Sequence, residues 1–158
     1  MAAHGRQRNE RVNGYTDIVA KTFLLEVVTP ERLLLSQEVE EVIAPGVEGE
    51  FGVLPGHAHF LTTLRVGELR YRTADVVHYM SVLWGYAEVT PTKVTVLAEV
   101  AEKAEDIDVD RAQAAVEAAE RRLEMGGLPS EVEATRVSLE KARLRKRIAE
   151  RARRSTHA

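Results

Sequence analysis

The sequence predicts an all-β sandwich of eight to ten strands, followed by an α-helical antiparallel hairpin. Three observations carry that expectation. From Thr22 to about Ala98, short runs of branched and aromatic residues alternate with turn signals. No helical pattern interrupts them, which argues against an α/β fold. From Glu99 onward the turn residues cease until Gly126-Gly127, and alanine takes over.

In chain order, residues 1–21 are polar and lack the apolar core of a secretory signal. They read as a disordered extension. Arg6, Arg8 and Arg11 also suit an organelle-targeting peptide, against which Glu10 and Asp17 weigh. Residues 22–105 form the sandwich. Phe23–Val28, Val39–Ile43 and Val94–Leu97 are strand-like runs, and Glu68–Arg72 and Lys93–Leu97 alternate apolar with polar. Turns are expected at Thr29-Pro30, Pro45-Gly46, Pro55-Gly56, Gly67 and Thr90-Pro91. The residues themselves give eight to ten strands.

Residues 106–158 form the hairpin. Asp108 is suited to cap a helix running to about Met125, and Asp110 favours its dipole. Val109, Ala112, Val116, Ala119 and Leu123 share one face. After the Gly126-Gly127 break, Ser130 and Glu133 carry the spacing of a capping box, and the second helix runs to about Arg153. Its Val132, Thr135, Leu139 and Ala142 can face the first helix. Alanine methyls bury far less than the roughly 1.5–3 kcal/mol of a leucine, so this hairpin needs a surface to lie on. A thin contact of this kind predicts an exchangeable tail.

Composition excludes several functions. The chain has no cysteine, which removes disulfides, thiolate metal sites and cysteine nucleophiles, and suits a reducing compartment. No apolar run approaches the roughly 20 residues of a membrane span, so membrane association is expected to be indirect. Charge is polarised. Residues 22–105 carry 6 basic and 13 acidic side chains, whereas 141–154 carry 8 basic residues against Glu150. The basic run reads either as a solvated helix end or as a contact for an acidic surface. Aromatics are absent after Tyr86, so an acidic protein is favoured over nucleic acid.

The segment from Pro45 to His57 alternates glycine with glutamate. It lacks the Gly-Lys-Ser/Thr of a phosphate loop, and its carboxylates repel phosphate. A shaped turn and an exposed acidic docking loop both fit. Glu48 and Glu50 as a glycosidase pair lack an aromatic platform. His57 and His59 lack a third metal ligand at suitable spacing. No Gly-x-Ser-x-Gly elbow is present. No catalytic residue and no metal ligand emerge.

Val28-Thr29-Pro30-Glu31, the long run Pro45–His57, Gly85–Val89 and Val94–Ala98, in that order, closely resemble the epsilon subunit of bacterial and chloroplast F-type ATP synthases, called delta in mitochondria. The likeness covers about residues 22–154, and the Gly/Glu/Pro/His run is its most specific part. It implies a ten-stranded sandwich at the foot of the central stalk, bound to the gamma subunit and the membrane c-ring. Glu48, Glu50 and His57 match the rotor-docking region. The resemblance implies a peripheral subunit on the cytoplasmic face of a bacterial inner membrane, with no catalytic site of its own.

The tail is implied to be regulatory, obstructing hydrolysis-direction rotation when extended. Lys141, Arg143, Arg145, Lys146 and Arg147 would then meet acidic segments of the catalytic alpha/beta head, on its beta subunits. Some members bind ATP in the folded hairpin through Ile/Leu-Asp-x-x-Arg-Ala followed by lysine. Here Ile107, Asp108, Arg111 and Ala112 match, Gln113 replaces the lysine, and Lys141 and Arg145 are alternative cations. Asp110 opposes phosphate, and capping is the plain role of Asp108. Trp84 departs from the family's usual Gly-Gly, and His59 from its proline.

Overall fold

The computed structural model describes residues 21–157, so the expectation for residues 1–21 lies outside it except at Lys21. Eight strands precede a 3-10 turn (Ala104–Asp106) and two helices. The strands are β1 (Phe23–Val28), β2 (Leu33–Val39), β3 (Glu41–Gly46), β4 (Gly49–Val53), β5 (Phe60–Leu64), β6 (Gly67–Thr73), β7 (Val76–Val89) and β8 (Lys93–Lys103). The helices are α1 (Val109–Met125) and α2 (Pro129–Thr156).

The eight strands fall within the eight to ten read from the residues, and the ten that the resemblance implies differ for a geometric reason. β7 has 14 residues and β8 has 11, and each runs through both layers of the sandwich. Residues 76–82 of β7 pair with β6, whereas 85–89 pair with β5. The first half of β8 pairs in parallel with β1. Counting each long strand once per layer restores ten segments.

The switch between layers falls at Trp84-Gly85. Trp84 has φ +48° and Gly85 has φ +144°. A Cβ at Gly85 would run into the Leu97 carbonyl oxygen, so only glycine fits there. Trp84 departs from the family pattern in a left-handed conformation that costs a non-glycine residue about 1 kcal/mol or more.

Strand alternation fills the sandwich core. Leu25, Val27, Val39, Val42, Leu69, Met80, Val82, Val94 and Val96 are buried, with Tyr71 stacked on His78 at 4.9 Å at its margin. Burial of the Tyr71 phenol, helped by the nearby Glu105 charge, raises its pKa above the ordinary tyrosine value.

The helices follow the sequence pattern with one correction. Asp108 caps α1, its carboxylate accepting from the Arg111 N–H at 3.0 Å. Gly126 closes that helix with φ +69°. Helix α2 begins at Pro129, earlier than the Ser130/Glu133 box predicts. Pro129 has the fixed φ suited to a first helical position, and Glu131 accepts from the Leu128 N–H at 3.1 Å.

Between the helices, Val116, Ala119, Leu139 and Ala142 form a small buried cluster, with Leu123 beside it. A second cluster seats the tail on the sandwich. Leu144, Ile148 and Ala149 of α2 meet Ala104, Ile107 and Ala112, with Val66 and Tyr79 from the body.

Candidate functional site

The outward face of the first layer is apolar where a solvated sheet would be polar. Antiparallel pairing places Thr63 opposite Tyr86 and Leu61 opposite Glu88. The same register sets Tyr86 against Leu97, which the parallel pair aligns with Val28. Paired residues share a face, so these side chains form one continuous surface. Leu61 is 71% exposed, Tyr86 57%, Leu97 50% and Trp84 40%. A shallow cleft of about 670 Å³ runs between Val28, Pro30, Leu64, Trp84, Tyr86 and Leu97. Contiguous exposed apolar surface with a polar surround marks a docking site.

Sequence reasoning missed this face. Its residues come from four strands, and only the register brings them together. The available signal was Leu61, Tyr86 and Leu97 at polar phases of their strands.

Glu48, Glu50 and His57 lie on the turn before β4, in β4 and on the loop after it. Glu48 lies in the two-residue turn between β3 and β4, and Glu50 begins the outward run of β4. Glu50 is 3.5 Å from the Arg70 guanidinium. His57 lies beyond the other end of β4, where its Nδ1–H donates to the Ala58 carbonyl at 2.7 Å. There its ring lies 6.5 Å from Phe60, which packs edge-on against Phe51 at 5.3 Å. The aromatic chain Phe51–Phe60–His57 thus links the residue after Glu50 to His57 along one flank of the sandwich.

The basic residues of α2 are mostly engaged while the tail is docked. Lys141 sits 4.4 Å over the Trp84 ring. Arg143 donates to Glu120 of α1 at 3.0 Å. Arg145 grips Glu102 of β8 through two hydrogen bonds, at 2.8 and 3.1 Å. Hydrogen bonding to Glu102 raises the Arg145 pKa despite partial burial. Lys146 is 3.9 Å from Glu150. Arg147 has no carboxylate within 4.0 Å among the described residues.

The residues implied for ATP fit that ligand poorly. Ile107 and Ala112 are buried in the tail-seating cluster. Asp108 is spent on capping, and Arg145 is spent on Glu102. Residues 102–111 carry Glu102, Glu105, Asp106, Asp108 and Asp110 against Lys103 and Arg111 alone. A polyphosphate would meet net negative charge there. Gln113, at the family's lysine position, donates to Glu117 at 2.8 Å and leaves its buried Oε1 without a partner. That atom is an acceptor and offers phosphate nothing.

Comparison with known proteins gives the same two-part division. The family described as ATP synthase, Delta/Epsilon chain, beta-sandwich domain, matches residues 22–104. The corresponding long alpha-helix domain matches residues 105–153. The ATP synthase epsilon chain of Citrifermentans bemidjiense is 49% identical over 134 residues, covering 83% of this chain and 96% of that one. That of Syntrophobacter fumaroxidans is 49% identical over 132 residues, covering 84% and 98%. Among solved structures, a chain of the Euglena gracilis mitochondrial ATP synthase OSCP/F1/c-ring assembly aligns with TM-score 0.70 at 21% identity, covering 79% of each chain. A chain of the Tetrahymena thermophila mitochondrial ATP synthase central stalk/c-ring aligns with TM-score 0.55 at 14% identity, covering 82% of this chain and 97% of that one. At those identities the alignments speak for the fold.

Proposed function

We propose that this chain, which belongs to the delta/epsilon family of ATP synthase subunits, is a rotor subunit of a proton-translocating enzyme that grips its partners with the sandwich and brakes hydrolysis with the tail. The observation that carries the proposal is the apolar face of Leu61, Trp84, Tyr86 and Leu97, exposed beside a tail held by few contacts.

The apolar face suits a gamma-type stalk partner. Its exposed leucines and aromatics supply the buried centre that a lasting interface requires. The flank that carries Glu48, Glu50 and His57 suits a c-ring contact, with Phe51 and Phe60 packed between the latter two. Such polar contacts orient a complex more than they hold it. The subunit contributes no reacting group. It transmits torque by remaining rigid between the catalytic head and the c-ring, at the cytoplasmic face of a bacterial membrane. No described helix is long and apolar enough to cross a membrane.

The brake follows from what α2 gives up on leaving the sandwich. Undocking breaks the Arg145–Glu102 and Arg151–Glu68 pairs and frees basic side chains for the acidic segments of beta subunits. Lys141, Arg143, Arg145, Lys146 and Arg147 would supply that contact.

Two experiments test the reading. Gamma should co-purify with the intact chain and be lost with Leu61→Asp combined with Leu97→Asp. Retention of gamma by that folded double variant would remove the proposed face. Deletion of residues 108–158 should release ATP hydrolysis from inhibition in the assembled enzyme. Hydrolysis and synthesis both unchanged in that truncation would refute the brake.

A further inference from the structure

Trp84 is shared between two surfaces. Its side chain lines the apolar cleft with Val28, Pro30, Leu64, Tyr86 and Leu97. The same indole carries Lys141 of α2, whose Nζ lies 4.4 Å from the ring centroid. The backbone sets this position. Trp84 holds φ +48° where β7 passes between the layers, a left-handed conformation that an aromatic residue keeps only when its surroundings fix it. At 40% exposure the indole is neither core nor open surface.

Lys141 has no carboxylate within 4.0 Å among the described residues. Its neighbours on α2 are held otherwise, Arg143 by Glu120 and Arg145 by Glu102. The Trp84 ring is therefore what receives its charge while the tail is docked. Lys141 does not line the cleft itself, so a partner seated there and the lysine meet different parts of one indole.

We propose that Trp84 couples these surfaces: a stalk partner seated on the cleft strengthens the Lys141 contact and so favours the docked tail. This inference rests on the gamma reading of the apolar face. A cation over an aromatic ring gains little where water competes and more once the pair is desolvated. A partner covering the cleft removes water from the exposed part of the indole. The change from a partly exposed to a desolvated pair corresponds to roughly fivefold in the docking equilibrium. Linkage makes the effect reciprocal, so the docked tail raises affinity for the partner by the same factor. Lys141 cannot rest on Trp84 and meet a beta-subunit carboxylate at once. A filled cleft thus holds the brake back.

The test is the affinity of the intact chain for gamma, read through a double-variant cycle. Lys141→Gln should weaken gamma binding roughly fivefold, and Lys141→Arg, which keeps a cation for the ring, should retain it. Trp84→Leu leaves apolar bulk in the cleft but no ring, so adding Lys141→Gln to it should weaken gamma no further. Arg122→Gln, an exposed charge on α1, should change nothing. Gamma should also slow amide exchange over residues 139–151 roughly fivefold in the parent and leave it unchanged in Lys141→Gln. Unchanged circular dichroism would confirm that the variants fold, and the exchange comparison needs only Lys141→Gln. Equal gamma affinity of the parent and Lys141→Gln overturns the coupling and leaves the gamma reading standing. A loss that persists in full on the Trp84→Leu background overturns it as well, because Lys141 would then touch gamma directly. Faster tail exchange on binding gamma would mean competition for the indole, the reverse of the proposal. Failure of gamma to bind any of these folded chains defeats both readings.

Discussion

The sandwich and the tail are held by different kinds of contact, and the difference suits the roles proposed for them. The body closes one continuous cluster of 18 buried residues, with leucine, valine and methionine at its centre. The tail has a cluster of four between its own helices and one of six against the body, and half of those ten residues are alanine. What alanine does not supply, ion pairs partly replace, at Arg145–Glu102 and Arg151–Glu68. Apolar burial is insensitive to partner identity and holds a rigid body. Ion pairs at a surface are worth less and can be exchanged for those of another protein. A rigid unit and an exchangeable unit are what torque transmission and braking respectively need.

The comparison is broken most directly in the body. Leu69→Ala removes a fully buried side chain and should cost about 2–5 kcal/mol, read as a lower midpoint in chemical denaturation with the whole sandwich unfolding. An equal loss confined to the tail would show that the two regions do not differ as described. Ile148→Ala should act locally. Sandwich unfolding stays near that of the parent, while amide exchange over 139–151 accelerates roughly thirty-fold, the equivalent of about 2 kcal/mol. Trp84 is the single tryptophan and lies under Lys141, so its emission should shift with that undocking. In the parent, tail amides should exchange faster than those of β1 and β8, and equal protection would contradict an exchangeable tail.

Smaller effects sharpen the same contrast. Glu102→Gln removes the carboxylate from Arg145 and should loosen docking by about 1 kcal/mol, seen in tail exchange and weakened further by salt. The smallest effect concerns alkaline pH. Folding raises the Tyr71 pKa, so its contribution is fully present below the unfolded tyrosine value and fades as pH climbs through the raised one. Tyr71→Phe should therefore flatten the loss of stability above about pH 10. An unchanged alkaline slope in that variant would remove Tyr71 as its source.

Much of the architecture was legible along the chain because it rests on local periodicity. The seam of Val109, Ala112, Val116, Ala119 and Leu123 follows from helical spacing, and Asp108 caps as its position predicts. Where the reading erred, a competing local force decided. Pro129 started α2 ahead of Ser130, since a preset φ and the reach of Glu131 outweighed a box displaced by two residues. The residues left eight to ten strands open because β7 and β8 run through both layers, and no composition signal marks a strand that changes partners.

The functional surfaces were far less legible. Glu48, Glu50 and His57 form one sequence motif, and β4 with the Phe51–Phe60 contact fixes how they are spaced. Leu61, Tyr86 and Leu97 lie far apart along the chain, yet register makes them neighbours. Trp84 and Lys141 belong to different regions and meet only when the tail is docked.

By itself the sequence determined a β body, a helical hairpin, the cap at Asp108 and the polarity of charge between the two regions. Those features depend on residues within one or two turns or strands of each other. The tertiary structure alone decided which apolar side chains remain outside, which arginines find carboxylates and where Trp84 lies beneath Lys141. These outcomes depend on strand register and on the seating of α2, where distant residues meet through packing that local propensity does not encode.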